Sequence, residues 1–223
     1  MTLRTALPAA TQHGNGRLAH ILGCQLRCPA GWAGRYLAWA MRIANRRANA
    51  LALDALAPRD GESILEIGFG PGDTIAKLLK HIPTGTIFGI DHSTDMLAMA
   101  SHKNANAIRK GRLHLHHGRS DALPIADGKI DSVLAVNVAY FWSERDVEEA
   151  CRTLVPGGKL VVYVTERDSM RHWSFAHTGS HRLFNAEDLR QLLAEGGFDA
   201  ASIDIAVVDA GMGVQGLIGT ARK

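Results

Sequence analysis

The stretch Ile64-Leu-Glu-Ile-Gly68-Phe-Gly70-Pro-Gly72-Asp-Thr74 decides how this 223-residue chain is read. Ser63–Ile67 is a short, mostly apolar run, the pattern of a buried strand. Glycines follow at positions 68, 70 and 72, and Gly72–His81 has helical spacing that Pro83 stops. A strand that turns through glycines into a helix lets backbone approach a ligand closely, because no Cβ intervenes. The spacing is G-x-G-x-G. The dinucleotide fingerprint G-x-G-x-x-G would put a glycine where Asp73 stands, which counts against a nicotinamide or flavin enzyme. The loop also lacks the G-K-[ST] element of a triphosphate-binding P-loop. Asp91 lies 19 residues beyond Gly72, at the end of a second strand, Thr86–Asp91. A carboxylate there can accept hydrogen bonds from both hydroxyls of a ribose. The glycine turn and Asp91, in register with one βαβ unit, point to a nucleoside ligand.

Working outward, the alternation continues. Strands are expected at Leu113–His117, Asp131–Val136 and Lys159–Glu166, with two closing strands at Ser202–Val208 and Val214–Ala221. Helices are expected at Thr94–Arg109, at Glu144–Leu154 before Pro156-Gly157-Gly158, and at Ala186–Glu195, capped by Gly196 and Gly197. This predicts an α/β fold: a mostly parallel seven-stranded sheet with helices on both faces and a terminal antiparallel hairpin. Leu37, Met41, Ala44, Ala48, Leu51 and Ala55 recur at helical spacing up to Pro58. Residues 1–57 therefore read as an N-terminal tail and helical cap, and 58–223 as the core of what is a single domain overall.

Composition narrows the class. Hydrophobic residues make up 46% of the chain, but no apolar run approaches the roughly 20 residues of a membrane span. Pro8, Gln12 and His13 interrupt any signal-peptide core, so a cytoplasmic protein is expected. Cys24, Cys28 and Cys151 are too few for a disulfide scaffold or a four-ligand zinc site. His114 and His116 share a strand face, but no metal is expected. Residues 1–60 hold eight arginines and two aspartates; residues 61–223 hold 17 basic and 20 acidic residues. The basic segment, with Trp32, Tyr36 and Trp39, is either a solvated helix face or a membrane-surface contact. A nearly neutral chain without a basic recognition module is not expected to bind nucleic acid.

The residues of the opening motif, Leu65-Glu-Ile-Gly-Phe-Gly-Pro-Gly72, closely resemble motif I of class I S-adenosylmethionine-dependent methyltransferases. Later blocks agree in order: Gly118-Arg-Ser-Asp121-Ala-Leu-Pro124, Asp131–Asn137, Leu154-Val-Pro-Gly-Gly158, and Phe184 through Gly197-Phe198. The pattern is most similar to the ubiquinone/menaquinone C-methyltransferase-like group. The resemblance implies a Rossmann-like fold and S-adenosyl-L-methionine as cofactor, with S-adenosyl-L-homocysteine as product. By position it implies that Glu66, Gly68, Gly70 and Gly72 shape the methionine pocket and that Asp91 holds the ribose. His92 and Met96 would flank the adenosine. Asp121 and Ala122 would meet the adenine, and Asn137 and Val138 the methionine end.

Methyl transfer needs alignment and a dry site more than a triad, because the cofactor arrives activated. A base is needed only where the acceptor must lose a proton. Tyr140, His177 and His181 are the candidates. Tyr140-Phe141-Trp142 could instead be packing aromatics. Glu166–His181, long and histidine-rich, reads as a lid. The function expected is methylation of a small molecule, of unidentified class and in an unidentified oligomeric state. The alternatives are a peripheral-membrane methyltransferase for a lipid or quinone-like substrate, or a non-catalytic cofactor-binding partner subunit. Arg35, Arg42, Arg46 and Arg47 of the N-terminal segment could hold an acidic substrate group as that segment closes over the site.

Overall fold

A computed structural model describes residues 45–171 and 182–223. Its elements run α1 (Arg46–Leu56), β1 (Ser63–Ile67), α2 (Asp73–His81), β2 (Thr86–Asp91), α3 (Thr94–Lys103), α4 (Ala105–Arg109), β3 (Leu113–His117) and β4 (Ile130–Val136). There follow α5 (Glu144–Thr153), β5 (Leu154–Thr165), α6 (Arg167–Met170), α7 (Ala186–Glu195), β6 (Ile203–Gly211) and β7 (Val214–Arg222). The strands form one seven-stranded sheet in the order β3-β2-β1-β4-β5-β7-β6. The first five are mutually parallel, and β7 runs antiparallel between β5 and β6. The Rossmann-like architecture and its closing hairpin are as the sequence predicts. Chain order reverses between β1 and β4, and in open α/β sheets ligands bind at the carboxyl ends of the strands beside such a reversal.

The two-residue period of each strand sorts its side chains onto two faces. Leu65, Val133, Ala135, Leu160 and Val162 join α5 and α7 in one buried cluster. Their sequence neighbours Ile64, Leu134 and Val161 join α1, α2 and α3 in the other. Helix α1 belongs to this second layer through Ala48, Ala52, Leu53 and Leu56, all buried. Leu51 and Ala55, expected on the apolar face, lie half-buried at its margin. Leu37, Met41 and Ala44 lie outside the described residues.

Two expectations are corrected. The single helix expected over Thr94–Arg109 is broken at Asn104 into α3 and α4. The buried Asn104 carboxamide donates to Ala100 O at 3.0 Å and to Gly72 O at 3.3 Å, which ties the end of α3 to the glycine turn. Strand β5 begins at Leu154 rather than Lys159, because Pro156-Gly157-Gly158 is absorbed into the strand where its pairing with β4 shifts register between Ile130 and Ser132.

Candidate functional site

The glycine turn is built around Asp91. The turn leaves β1 and the carboxylate ends β2; the two strands pair in parallel up to Ile67 and Ile90. Asp91 Oδ2 accepts from the Gly70 amide at 2.9 Å and Oδ1 from the Ser93 amide at 2.9 Å. Burial raises the carboxyl pKa, and the two amides work against that rise. Each carboxylate oxygen has a second lone pair, so the group can hold the turn and still accept from a ligand. Gly68, with φ +72°, leaves no room for a side chain: a Cβ there would lie 2.3 Å from Val138 Cγ1. The turn after β1 and the turn after β4 therefore meet at Gly68 and Val138.

Glu66 lies on β1 in the same alternation as Ile64, and so turns into the layer of α2 and α3. It is 4% exposed, and among the described residues nothing hydrogen-bonds its Oε2. Burial, with Asp91 and Asp73 nearby, pushes its pKa up to about 8. A buried carboxyl with an unsatisfied oxygen beside two further acids suits a cationic ligand group, which would restore its charge.

These groups open on a cavity of about 470 Å³ at the carboxyl ends of the strands. Glu66, Gly68, Gly70, Asp91, His92, Met96, Asp121, Asn137 and Val138 all line it. Gly72 and Ala122 do not. At Gly72 (φ +77°) an added Cβ would lie 2.9 Å from Ala100 Cβ, so this glycine lets α3 pack on the turn. Ala122 is exposed. Asp121 is gripped by the Arg119 guanidinium at 2.9 and 3.2 Å from Nε, which holds its carboxyl below the usual range.

The far wall comes from the turn after β4. Asn137 is a non-glycine residue with φ +56°. Tyr140 lies outside the cavity lining. Its hydroxyl accepts from Thr165 N at 2.6 Å and donates to Asn137 Oδ1 at 2.8 Å. Burial pushes that phenol well above its ordinary pKa, which argues against Tyr140 as a base and makes it a support for Asn137. Phe141 and Trp142 do line the cavity. His177, His181, Arg35, Arg42 and most of the segment read as a lid lie outside the described residues, as do Cys24, Cys28 and the N-terminal aromatics. Arg47 Nε donates to Asp209 O at 2.8 Å.

Several lining residues escaped the sequence reading. Asn45, which precedes α1, and Asn49 within it form part of the wall, and Asn137 Nδ2 donates to Asn45 Oδ1 at 3.0 Å. Asp146 caps α5 by accepting from Ser143 N and Ser143 Oγ, and Ser120 Oγ donates to it. The S-x-x-D pattern is a signal for a helix start, and nothing in it points to a cavity. Below them, Glu149 accepts from Leu123 N at 2.8 Å and Arg152 donates to Ile125 O at 2.8 Å, clamping the loop after β3 onto α5.

With this geometry in view, the comparisons agree. Residues 64–158 match the family described as Methyltransferase domain. The chain is 30% identical over 131 residues to the uncharacterized methyltransferase YdaC of Bacillus subtilis, covering 58% of this chain and 70% of that protein. It is 32% identical to a demethylmenaquinone methyltransferase of Shouchella clausii, over 49% of this chain and 48% of the relative. Haemonchus contortus phosphoethanolamine N-methyltransferase 2, solved with phosphomonomethylethanolamine and S-adenosylhomocysteine, superposes with a TM-score of 0.69 at 15% identity, over 83% of this chain and 56% of that one. The chain spans about half the length of several curated relatives it matches. Fold, site and relatives together place the chain in the class I S-adenosylmethionine-dependent methyltransferase family. Among the described residues, no helix is long and apolar enough to cross a membrane.

Proposed function

We propose that this chain transfers the methyl group of S-adenosylmethionine to a small organic molecule held in the cavity, leaving S-adenosylhomocysteine. The observation that carries this reading is the pairing of Asp91 with Glu66 on adjacent strand ends. One is a carboxylate that can accept from ribose hydroxyls; the other is a buried acid whose Oε2 has no hydrogen-bond partner among the described residues, which suits a cationic amino group. The turn between them has glycine at 68, 70 and 72, each at positive φ. The cofactor, when bound, supplies a sulfonium methyl already activated for displacement. The chain's own work is alignment and exclusion of water. Asp91, Asp121 and the glycine turn hold the nucleoside. Val138, Phe141 and Trp142 give an apolar wall for the acceptor. The N-terminal end of α1 closes the cavity over Asn137.

Incubation with methyl-labelled S-adenosylmethionine and a panel of phenols, quinols, amines and carboxylic acids tests the reading. Label should move to an organic product with wild-type protein and not with Asp91→Ala. Cofactor binding without transfer to any acceptor would instead favour a non-catalytic partner subunit.

A further inference from the structure

The hydrogen bonds behind the cavity wall form a chain whose polarity is fixed at one end. The Thr165 amide can only donate, so Tyr140 Oη accepts from it at 2.6 Å. The single phenolic proton then goes to Asn137 Oδ1 at 2.8 Å. That turns the Asn137 amino group toward Asn45, whose Oδ1 accepts at 3.0 Å. Asn45 is left with its own NH2 as the open end of the chain, and among the described residues none accepts from it. Asn45 and Asn49, one helical turn apart, both face the cavity.

The charges around the cavity say what this donor is for. Glu66, Asp73, Asp91, Asp121 and Asp146 line it, against Arg119, which is bound to Asp121. An amino-acid arm carries a carboxylate as well as an ammonium. The acidic side can take the ammonium and would repel the carboxylate. Asn45 lines the same cavity as Glu66, and its partner Asn137 precedes Val138, which closes on Gly68. We infer that Asn45 donates to the α-carboxylate of the cofactor's amino-acid arm, oriented for this by the relay Thr165–Tyr140–Asn137. This inference rests on the cofactor assignment made above.

Calorimetric titration of the full chain with two ligands tests it. One is S-adenosylhomocysteine; the other is 5′-methylthioadenosine, the same nucleoside thioether without the amino-acid arm. Asn45→Asp keeps an acceptor for Asn137, suits the start of a helix, and replaces the donor by a negative charge. It should weaken S-adenosylhomocysteine about tenfold or more, the scale of losing a hydrogen bond to a charged group, and leave methylthioadenosine within about twofold. Asn45→Ala should show the same selectivity with a smaller loss. Equal losses on both ligands, or no loss on either, would overturn the inference. Wild-type protein that binds neither ligand would overturn the cofactor reading itself, and this inference with it.

Discussion

The turns after β1 and β4 leave neighbouring parallel strands, touch each other at Gly68 and Val138, and line the same cavity, yet they are built by opposite means. The first reaches its left-handed conformations with glycine, and its polar anchor, Asp91, takes two backbone amides. The second puts Asn137 into a left-handed conformation and braces it with side chains, Tyr140 on one side and Asn45 on the other. A glycine turn is permissive and makes space. A braced asparagine costs local strain, which surrounding bonds must offset, and in return it presents a donor of fixed direction. The first turn suits a ligand's shape, and the second its polarity.

If the two turns depend on contact, Gly68→Val has the largest effect. Its side chain would overlap Val138 Cγ1 and would strain a β-branched residue at positive φ. A loss of about 3 kcal/mol of stability is expected, from overpacking and backbone strain together, with no detectable S-adenosylhomocysteine binding. The milder Gly68→Ala should be partly rescued by Val138→Ala. A Gly68→Val protein with native melting temperature and affinity would separate the turns.

Asp91→Ala comes next. Removing a buried charged acceptor should weaken S-adenosylhomocysteine by about 2–4 kcal/mol and lower the melting temperature, since two amides lose their partner. Unchanged affinity in a folded Asp91→Ala protein would remove Asp91 from the site.

Glu66 gives a pH signature on the glycine side alone. Its pKa in the folded chain, about 8, lies above the ordinary glutamate value of 4.5. The folded state holds this proton more tightly than the unfolded state. The stability it confers is complete below about pH 4.5 and is lost as pH rises through 8. The ligand-free protein should therefore lose melting temperature from pH 5 to 8 more steeply than Glu66→Gln does. Parallel profiles would show that Glu66 is not held protonated. The smallest effect expected is that of Tyr140→Phe, which frees Asn137 to flip. S-adenosylhomocysteine should weaken roughly threefold, about the scale of a neutral hydrogen bond, with methylthioadenosine unaffected. A loss shared by both ligands would show that the bracing does not set the donor's direction.

The same contrast explains what the sequence disclosed. The glycine turn and Asp91 are one βαβ unit, so spacing alone reveals them, and the strand rhythm reveals the sheet. The second turn is assembled across the fold. Asn45 and Asn137 are 92 residues apart, and nothing near either residue signals the other. Tyr140-Phe141-Trp142 showed that aromatics would stand at the strand end but not which would face inward; the three-residue helical turn Ala139–Phe141 sends Tyr140 into the core. The break at Asn104 was invisible for a similar reason, since the acceptor on Gly72 lies 32 residues away. Gly72 reads from the sequence as part of the ligand pocket, but its neighbour is α3 rather than the cavity.

The cavity beside Glu66, Gly68 and Asp91 is proposed as the S-adenosylmethionine site. Titration of the full-length chain with S-adenosylhomocysteine, in buffers of different ionisation enthalpy near pH 7, addresses it directly. One site per chain is expected, abolished or strongly weakened by Asp91→Ala, with net proton release as Glu66 ionises against the ligand's ammonium. Absence of binding, or equal binding by the Asp91→Ala chain, would contradict it.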